Sequence, residues 1–252
     1  MLQEPFSTGN SQIHRLDPRF KVVFATVYAF VVALSNSFPS LIAALVFSFA
    51  LVGLCQLDFL EVAKRVALVN GFIIFLWLVV PLTYDGQPIF YLGPFGVSRE
   101  GVLVSARITL KSNAILLAFI TLIASNTVAT LGSALGRLRV PEKIIYLLLL
   151  NYRYIFVMEE EYRRLLRSAS IRGFRPSSTL HTYKTYAYLI GMLFVRAADR
   201  AERVYKAMLC RGFAGKFYSL HEYSFSRLDL IWLVVMTIAI IGLEILEWVK
   251  IA

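Results

Sequence analysis

The sequence is poor in the residues that usually carry chemistry. It has two cysteines and three histidines in 252 residues. Cys55 and Cys210 lie far apart and outside any Cys-x-x-Cys pattern, which argues against both a zinc site and a disulfide framework. His14, His181 and His221 are scattered, with no pair at helical spacing, so no metal-ligand cluster is expected. The chain has no Walker A loop, no GxGxxG string and no Ser/His/Asp arrangement. The acidic run Glu159–Glu161 reads as a solvated helix face. The expectation is a chain that is not an enzyme and holds no metal or cofactor of its own.

What the sequence has is apolar length. It is 58% hydrophobic with a mean hydropathy of +0.66, where a soluble domain is nearer half apolar. The apolar residues are gathered into runs, as in a membrane protein. Five spans are predicted, at 20–34, 40–55, 66–82, roughly 107–125 and 228–246. Trp232 and Trp248 sit near the two ends of the last as interface anchors, and Pro39 suits the first turn of the second. Between the third and fourth runs, "TYDGQPIFYLGPFGVSREG" is rich in Gly and Pro and reads as an irregular loop. "RLDPRFK" resembles the charged region of a signal peptide, but "VALSNSFPS" after the first run lacks a small-x-small cleavage site. An uncleaved first span is the better reading.

Residues 127–227 differ. A short helix is predicted in "TVATLGSALGRLRV", a long one after Pro141, and another after Ser178 or Thr179 as its cap. The long helices are amphipathic. Glu159/Arg163, Glu160/Arg164, Asp199/Arg203 and Glu202/Lys206 are spaced i,i+4 with the acid first, the favourable order. The stretch 144–158 is apolar enough to suggest a sixth span, but it carries Asn151 and Arg153, and a central Arg costs about 2.5–3.5 kcal/mol to insert. Basic residues decide the topology. With five spans and the N-terminus inside, 22 of the 26 Lys and Arg are cytoplasmic: 3 before or at the start of the first span, 2 in 56–65 and 17 in 127–227. The expected organisation is therefore 1–126 with four spans, 127–227 as a cytoplasmic domain against the membrane, and 228–252 with the last span. The fold class is an all-α polytopic membrane protein with about five transmembrane helices. Membrane topology explains the placement of the basic residues behind the net charge of +10, and no nucleic-acid recognition motif is present.

Each long helix is expected to end in the same tripeptide. "SIRGFRP" at 170–176 and "LCRGFAG" at 209–215 both contain Arg-Gly-Phe. Gly173 and Gly212 suit a left-handed helix stop. Arg172 and Arg211, with Phe174 and Phe213 beside them, also offer a basic head and an apolar contact to a partner's pocket. The two roles are compatible.

"RLDPRFK", "LRVPEKIIYLLLLNYRYI" and "RAERVYKAMLCRGFAGK", in this order and with paired Arg-Gly ends, resemble the transmembrane coupling (T) component of energy-coupling factor transporters. The resemblance is to CbiQ of cobalt uptake systems in particular and covers about residues 14–245. The family's usual tripeptide is Ala-Arg-Gly. Here Ile171 and Cys210 replace the Ala, so Arg172-Gly173 and Arg211-Gly212 carry the match. The resemblance implies a bacterial plasma-membrane assembly with two cytoplasmic ABC-type ATPases, which bind ATP and Mg. It also implies a CbiM-like substrate-binding membrane subunit that holds the transported metal, and a small CbiN-like accessory subunit. Each Arg-Gly end would dock on one ATPase, and the two long helices would pass ATPase motion to the substrate-binding subunit. A nickel or vitamin system is the alternative within the family. Outside it, the rival is a stand-alone carrier or channel with a lipid-binding or regulatory basic domain. That reading needs a polar route through the spans, and only Thr26, Asn70 and Asn113 are at hand, all uncharged. On the second long helix, Gly191, Ala197, Ala198 and Ala201 permit close helix crossing or ordinary packing, and Tyr186, Leu189, Leu193 and Phe194 form an apolar face.

Overall fold

The computed structural model describes residues 11, 13, 16–84, 87–92, 95–138, 140–213 and 227–248. His14 and His221 lie outside these. Contacts divide the chain into two compact units, Leu135–His221 and, flanking it in sequence, Glu4–Ala134 with Glu222–Ala252.

The flanking unit is built from long apolar helices. Helix α1, Pro18–Leu34, starts where Asp17 caps it through a hydrogen bond from the Arg19 amide (2.9 Å) and Pro18 occupies its first turn. Helix α2, Phe38–Cys55, carries Pro39 in its first turn. Helix α3, Phe59–Thr83, is longer than the apolar run suggests, because Lys64 and Arg65 form its early turns instead of a polar link. Helix α4, Arg99–Leu122, likewise begins two turns before its apolar part, with the Ser98 hydroxyl accepting from the Gly101 amide (3.1 Å). Helix α8, Arg227–Trp248, closes the unit. Four of these helices, α2, α3, α4 and α8, are long and apolar enough to cross a membrane by length and composition. At 17 residues, α1 rises about 25 Å, the lower bound for a span.

The segment between α3 and α4 is not irregular. Strands β1, Pro88–Leu92, and β2, Phe95–Ser98, pair antiparallel with Leu92 opposite Phe95 and Phe90 opposite Val97. The sequence "IFYL" has strand propensity that the neighbouring Gly and Pro obscured, and Pro88 sits at the strand start, where its missing N–H is tolerated. The hairpin returns the chain so that α4 starts hard against the end of α3. A Cβ on Gly101 would come within 2.7 Å of the Pro81 Cα.

Helix α4 is central, packing on α1, α2 and α3. Small and polar residues let the helices close. The Tyr28 hydroxyl donates to the Ala44 carbonyl (2.7 Å) and meets Ser48 Oγ at 2.8 Å, and Ser48 donates to the Ala114 carbonyl (2.8 Å). Ala25, Ala44, Ala114 and Ala118 are fully buried around them. Asn70 on α3 and Asn113 on α4 exchange two hydrogen bonds of 3.1 Å, and Thr26 donates to the Val22 carbonyl (2.8 Å). The three polar residues at mid-span therefore serve packing. At one end of the unit, the Glu247 carboxylate of α8 accepts from the amides of Asn36 and Ser37 and the hydroxyls of Ser35, Ser37 and Ser40, fixing the α1–α2 link.

Candidate partner-docking ends

Helix α5, Val128–Arg137, precedes the two long helices of the other unit, α6, Glu142–Ile171, and α7, Leu180–Cys210. Pro141 stands at the N-cap of α6. Thr179 stands at the N-cap of α7, but its hydroxyl meets Thr182 Oγ1 at 3.2 Å and caps no amide. Three of the four spaced pairs close: Glu159–Arg163, Glu160–Arg164 and Glu202–Lys206, each at 2.6 Å. Asp199 and Arg203 do not.

The two helices run antiparallel, fixed at three levels. Phe174, just past α6, meets Tyr186 in the second turn of α7 edge-on at 5.6 Å between ring centroids. Midway, Glu161 of α6 accepts a hydrogen bond from Arg196 of α7 and has Arg200 at 3.8 Å. At the far end Phe213, just past α7, stacks on Tyr146 of α6 at 5.5 Å.

Glu161 corrects the expectation of a solvated acidic face. Only 8% of it is exposed, and the hydrogen bond from Arg196 holds its carboxyl below the usual carboxylate range against the opposing effect of burial. The signal was local. Glu159 and Glu160 each find an Arg four residues on, whereas Glu161 finds the buried Leu165, so its partner had to come from another helix.

Both Arg-Gly ends adopt one geometry. At α6 the Gly173 amide donates to the Ser170 carbonyl (3.0 Å) and the Phe174 amide to the Ala169 carbonyl (3.1 Å). At α7 the Gly212 amide donates to the Leu209 carbonyl (3.0 Å) and the Phe213 amide to the Met208 carbonyl (3.1 Å). This is the paired-bond cap that needs a left-handed residue, and Gly173 and Gly212 supply it with φ of 87° and 76°. No neighbouring heavy atom lies within 4 Å of a Cβ built on either glycine, so the caps stand clear of other groups. Arg172 and Arg211 are the C-cap residues and are exposed, as are Cys210 and Ile171, the latter at 87%. Phe174 and Phe213 are half-buried by their tyrosines. The structure thus makes each Arg-Gly-Phe a repeated unit: a glycine that stops the helix, an arginine left in solvent, and a phenylalanine that clips the end onto the other helix.

Between the first half of α6 and the second half of α7 lies a groove of about 420 Å³, with Tyr146, Leu150 and Met158 on one wall and Ala197, Ala201 and Val204 on the other. Helix α7 otherwise buries little. Among its residues Thr182 alone is buried, and Phe194 and Tyr188 are more than 70% exposed. Of its small residues, Gly191 faces no packed neighbour, since a Cβ there would meet nothing within 4 Å, whereas Ala197 and Ala201 line the groove opposite α6. Among the described residues no three His, Cys, Asp or Glu converge as metal ligands.

A family model described as "CbiQ: Cobalt transport protein" matches residues 9–222. The chain is also similar to proteins named energy-coupling factor transporter transmembrane protein EcfT. The one from Bacillus subtilis (strain 168) is 26% identical over 233 residues, covering 85% of each chain. That from Macrococcus caseolyticus is 25% identical over 262 residues, covering 97% of this chain and 98% of the relative. That from Streptococcus equi subsp. equi is 29% identical over 218 residues, covering 82% and 81%.

Proposed function

The chain belongs to the CbiQ family and is a transmembrane component of an energy-coupling factor transporter, and on that premise we propose that it joins two cytoplasmic ATPases to a substrate-binding membrane subunit. The observation that carries this reading is the pair of identical caps. Arg172 and Arg211 project from opposite ends of one antiparallel helix pair, roughly 40 Å apart by helix rise. Two like ends, each offering an exposed guanidinium beside an aromatic ring, suit two copies of a like pocket. ATP binding and hydrolysis, with Mg, belong to those partners. Their closure shifts the two ends against each other, and the exposed apolar side chains of α7 pass the movement to the substrate-binding subunit.

Cobalt is the cargo we propose, following the family's description, with its ligands on a CbiM-like subunit and a small CbiN-like subunit as accessory. A nickel or vitamin system is the second reading, since the names of the relatives specify no cargo. A stand-alone carrier has less support, because Asn70 and Asn113 satisfy each other and Thr26 bonds its own helix. The proposed setting is a bacterial plasma membrane with the N-terminus inside, on the weight of the 22 basic residues.

Charge reversal tests docking. Arg172→Glu and Arg211→Glu are each expected to leave the chain inserted and to weaken recovery of the ATPases in a pull-down, the double variant most. Unchanged recovery together with unchanged ATP-driven uptake in the double variant would sink the docking reading. Uptake of labelled Co2+, Ni2+ and a vitamin by cells expressing the whole complex assigns the cargo.

A further inference from the structure

One buried charge cluster lies apart from the docking ends. Lys21, in the first turn of α1, is 1% exposed, and Asp17 and Asp229 are 4% and 3% exposed. The Lys21 Nζ donates to Asn126 Oδ1 (2.9 Å), and the Asp17 amide donates to Asp229 Oδ1 (3.0 Å). The carboxylates of Asp17 and Asp229 supply negative charge near the ammonium. Around Lys21 and Asp229 the free space is about 10 Å³, walled by Phe20, Phe24, Leu122 and Trp232, at the lower limit for one water. A buried ammonium in so dry a place is retained only where it is bonded and compensated.

The position of these bonds in the chain gives them meaning. Asn126 lies just beyond α4, and its Nδ2 donates back to the carbonyls of Leu122 (2.7 Å) and Ile123 (3.3 Å). It is therefore welded to the end of α4, at the last link before the chain goes on to α5, α6 and α7. Asp229 lies in the first turn of α8, where the chain has come back. Helix α1 packs on both α4 and α8. The start of α1 thus holds, through two hydrogen bonds, the outgoing and the returning strand of the loop that contains both docking ends.

We propose that Lys21 is a positioning residue for energy coupling: with Asp17 it locks the outgoing link at Asn126 and the returning link at Asp229 to one helix, so that movement of the docking ends is transmitted and not absorbed at the links. This rests on the proposed coupling function. A joint that gives way leaves ATP hydrolysis running while the work done per ATP falls, which a mere folding role does not produce.

The test uses the complete complex, with its ATPases and substrate-binding subunit, in vesicles. ATP hydrolysis and uptake of labelled Co2+, Ni2+ and a vitamin are measured together. Lys21→Met and Asn126→Leu are expected to assemble and hydrolyse ATP but to lower uptake per ATP by at least about fivefold, the lower end of ordinary coupling between sites. Asn126→Asp keeps an acceptor for the ammonium but loses the Nδ2 donor to the Leu122 and Ile123 carbonyls, so it is expected to recover part, not all, of the ratio that Asn126→Leu loses. An unchanged ratio in Lys21→Met and Asn126→Leu would overturn the proposal. So would loss of assembly by Asn126→Leu, which keeps the buried cation and would then reveal a folding role. Should Lys21→Met alone fail to insert, Asn126→Leu against Asn126→Asp decides. An unmodified complex that shows no ATP-driven uptake of any probe would overturn the coupling function itself, and this proposal with it.

Discussion

Glu161 of α6 and Arg196 of α7 form the polar pin at the middle of the helix hairpin, the one level of the three that is ionic. Its neighbours on either side are an aromatic clip at each end. The helices are therefore fixed in register at their tips by shape and at their centre by charge.

Removing the charge should loosen the centre. Glu161→Gln is expected to broaden the distance distribution between spin labels at Lys143 and Lys206, while Glu160→Gln, whose partner is on its own helix, leaves it unchanged. The pH dependence has a definite sign. The carboxyl is held below its usual range in the folded state, so the pin is complete above the ordinary carboxylate pKa and is lost as pH falls through the lowered value. Distances recorded from neutral pH downward should therefore stay narrow through the ordinary carboxylate range and widen only below it.

The caps make a second prediction. Gly173 and Gly212 hold left-handed backbone with open space around them, so Ala at either site costs conformation and no clash, about 1–2 kcal/mol. The amides of Phe174 and Phe213, bonded back into the helix, should then exchange hydrogen roughly tenfold faster, since 1.36 kcal/mol is a factor of ten. Asn, which tolerates this region, should restore most of the protection. Equal exchange in Gly, Ala and Asn forms would show that the caps do not hold the helix ends.

The asparagine pair makes a third. Asn70→Leu or Asn113→Leu leaves one amide without its partner on the neighbouring helix. Such side-chain bonds between membrane helices are worth about 0.6 kcal/mol on average and at most about 1.7. Each single variant should lower stability in a detergent melt within that range, and the double variant should lose less than the two singles combined. Strict additivity would mean that the two side chains do not interact.

How far the sequence foretold this structure depended on whether a signal was local. The ends of α6 and α7 were legible because Arg-Gly stops, the Pro141 start and i,i+4 charge pairs act within one helix. The apolar runs were legible as spans, but α3 and α4 extend further because Lys64, Arg65 and the polar turns of Arg99–Arg107 obey helix periodicity once Asp58 and Ser98 start them. The β-hairpin was hidden because Gly and Pro around "IFYL" gave a loop composition that masked the strand propensity. In the sequence Lys21 reads only as a basic residue at the start of an apolar run. Nothing near it in sequence announced partners 105 residues away at Asn126 or, through Asp17, 212 residues away at Asp229. Glu161 fell between the two cases: its partners were distant, but its lack of a basic residue four positions on could be read.

The two cysteines divide in a useful way. Cys55 is buried and Cys210 is exposed, directly before Arg211. The native chain therefore carries one accessible thiol, placed beside one of its two proposed docking ends and absent from the other, where Ile171 holds the matching position. A maleimide dye added to the unaltered protein marks the α7 end alone. Its fluorescence distinguishes the two otherwise identical caps, so occupancy of one end by a partner can be followed separately from occupancy of the other.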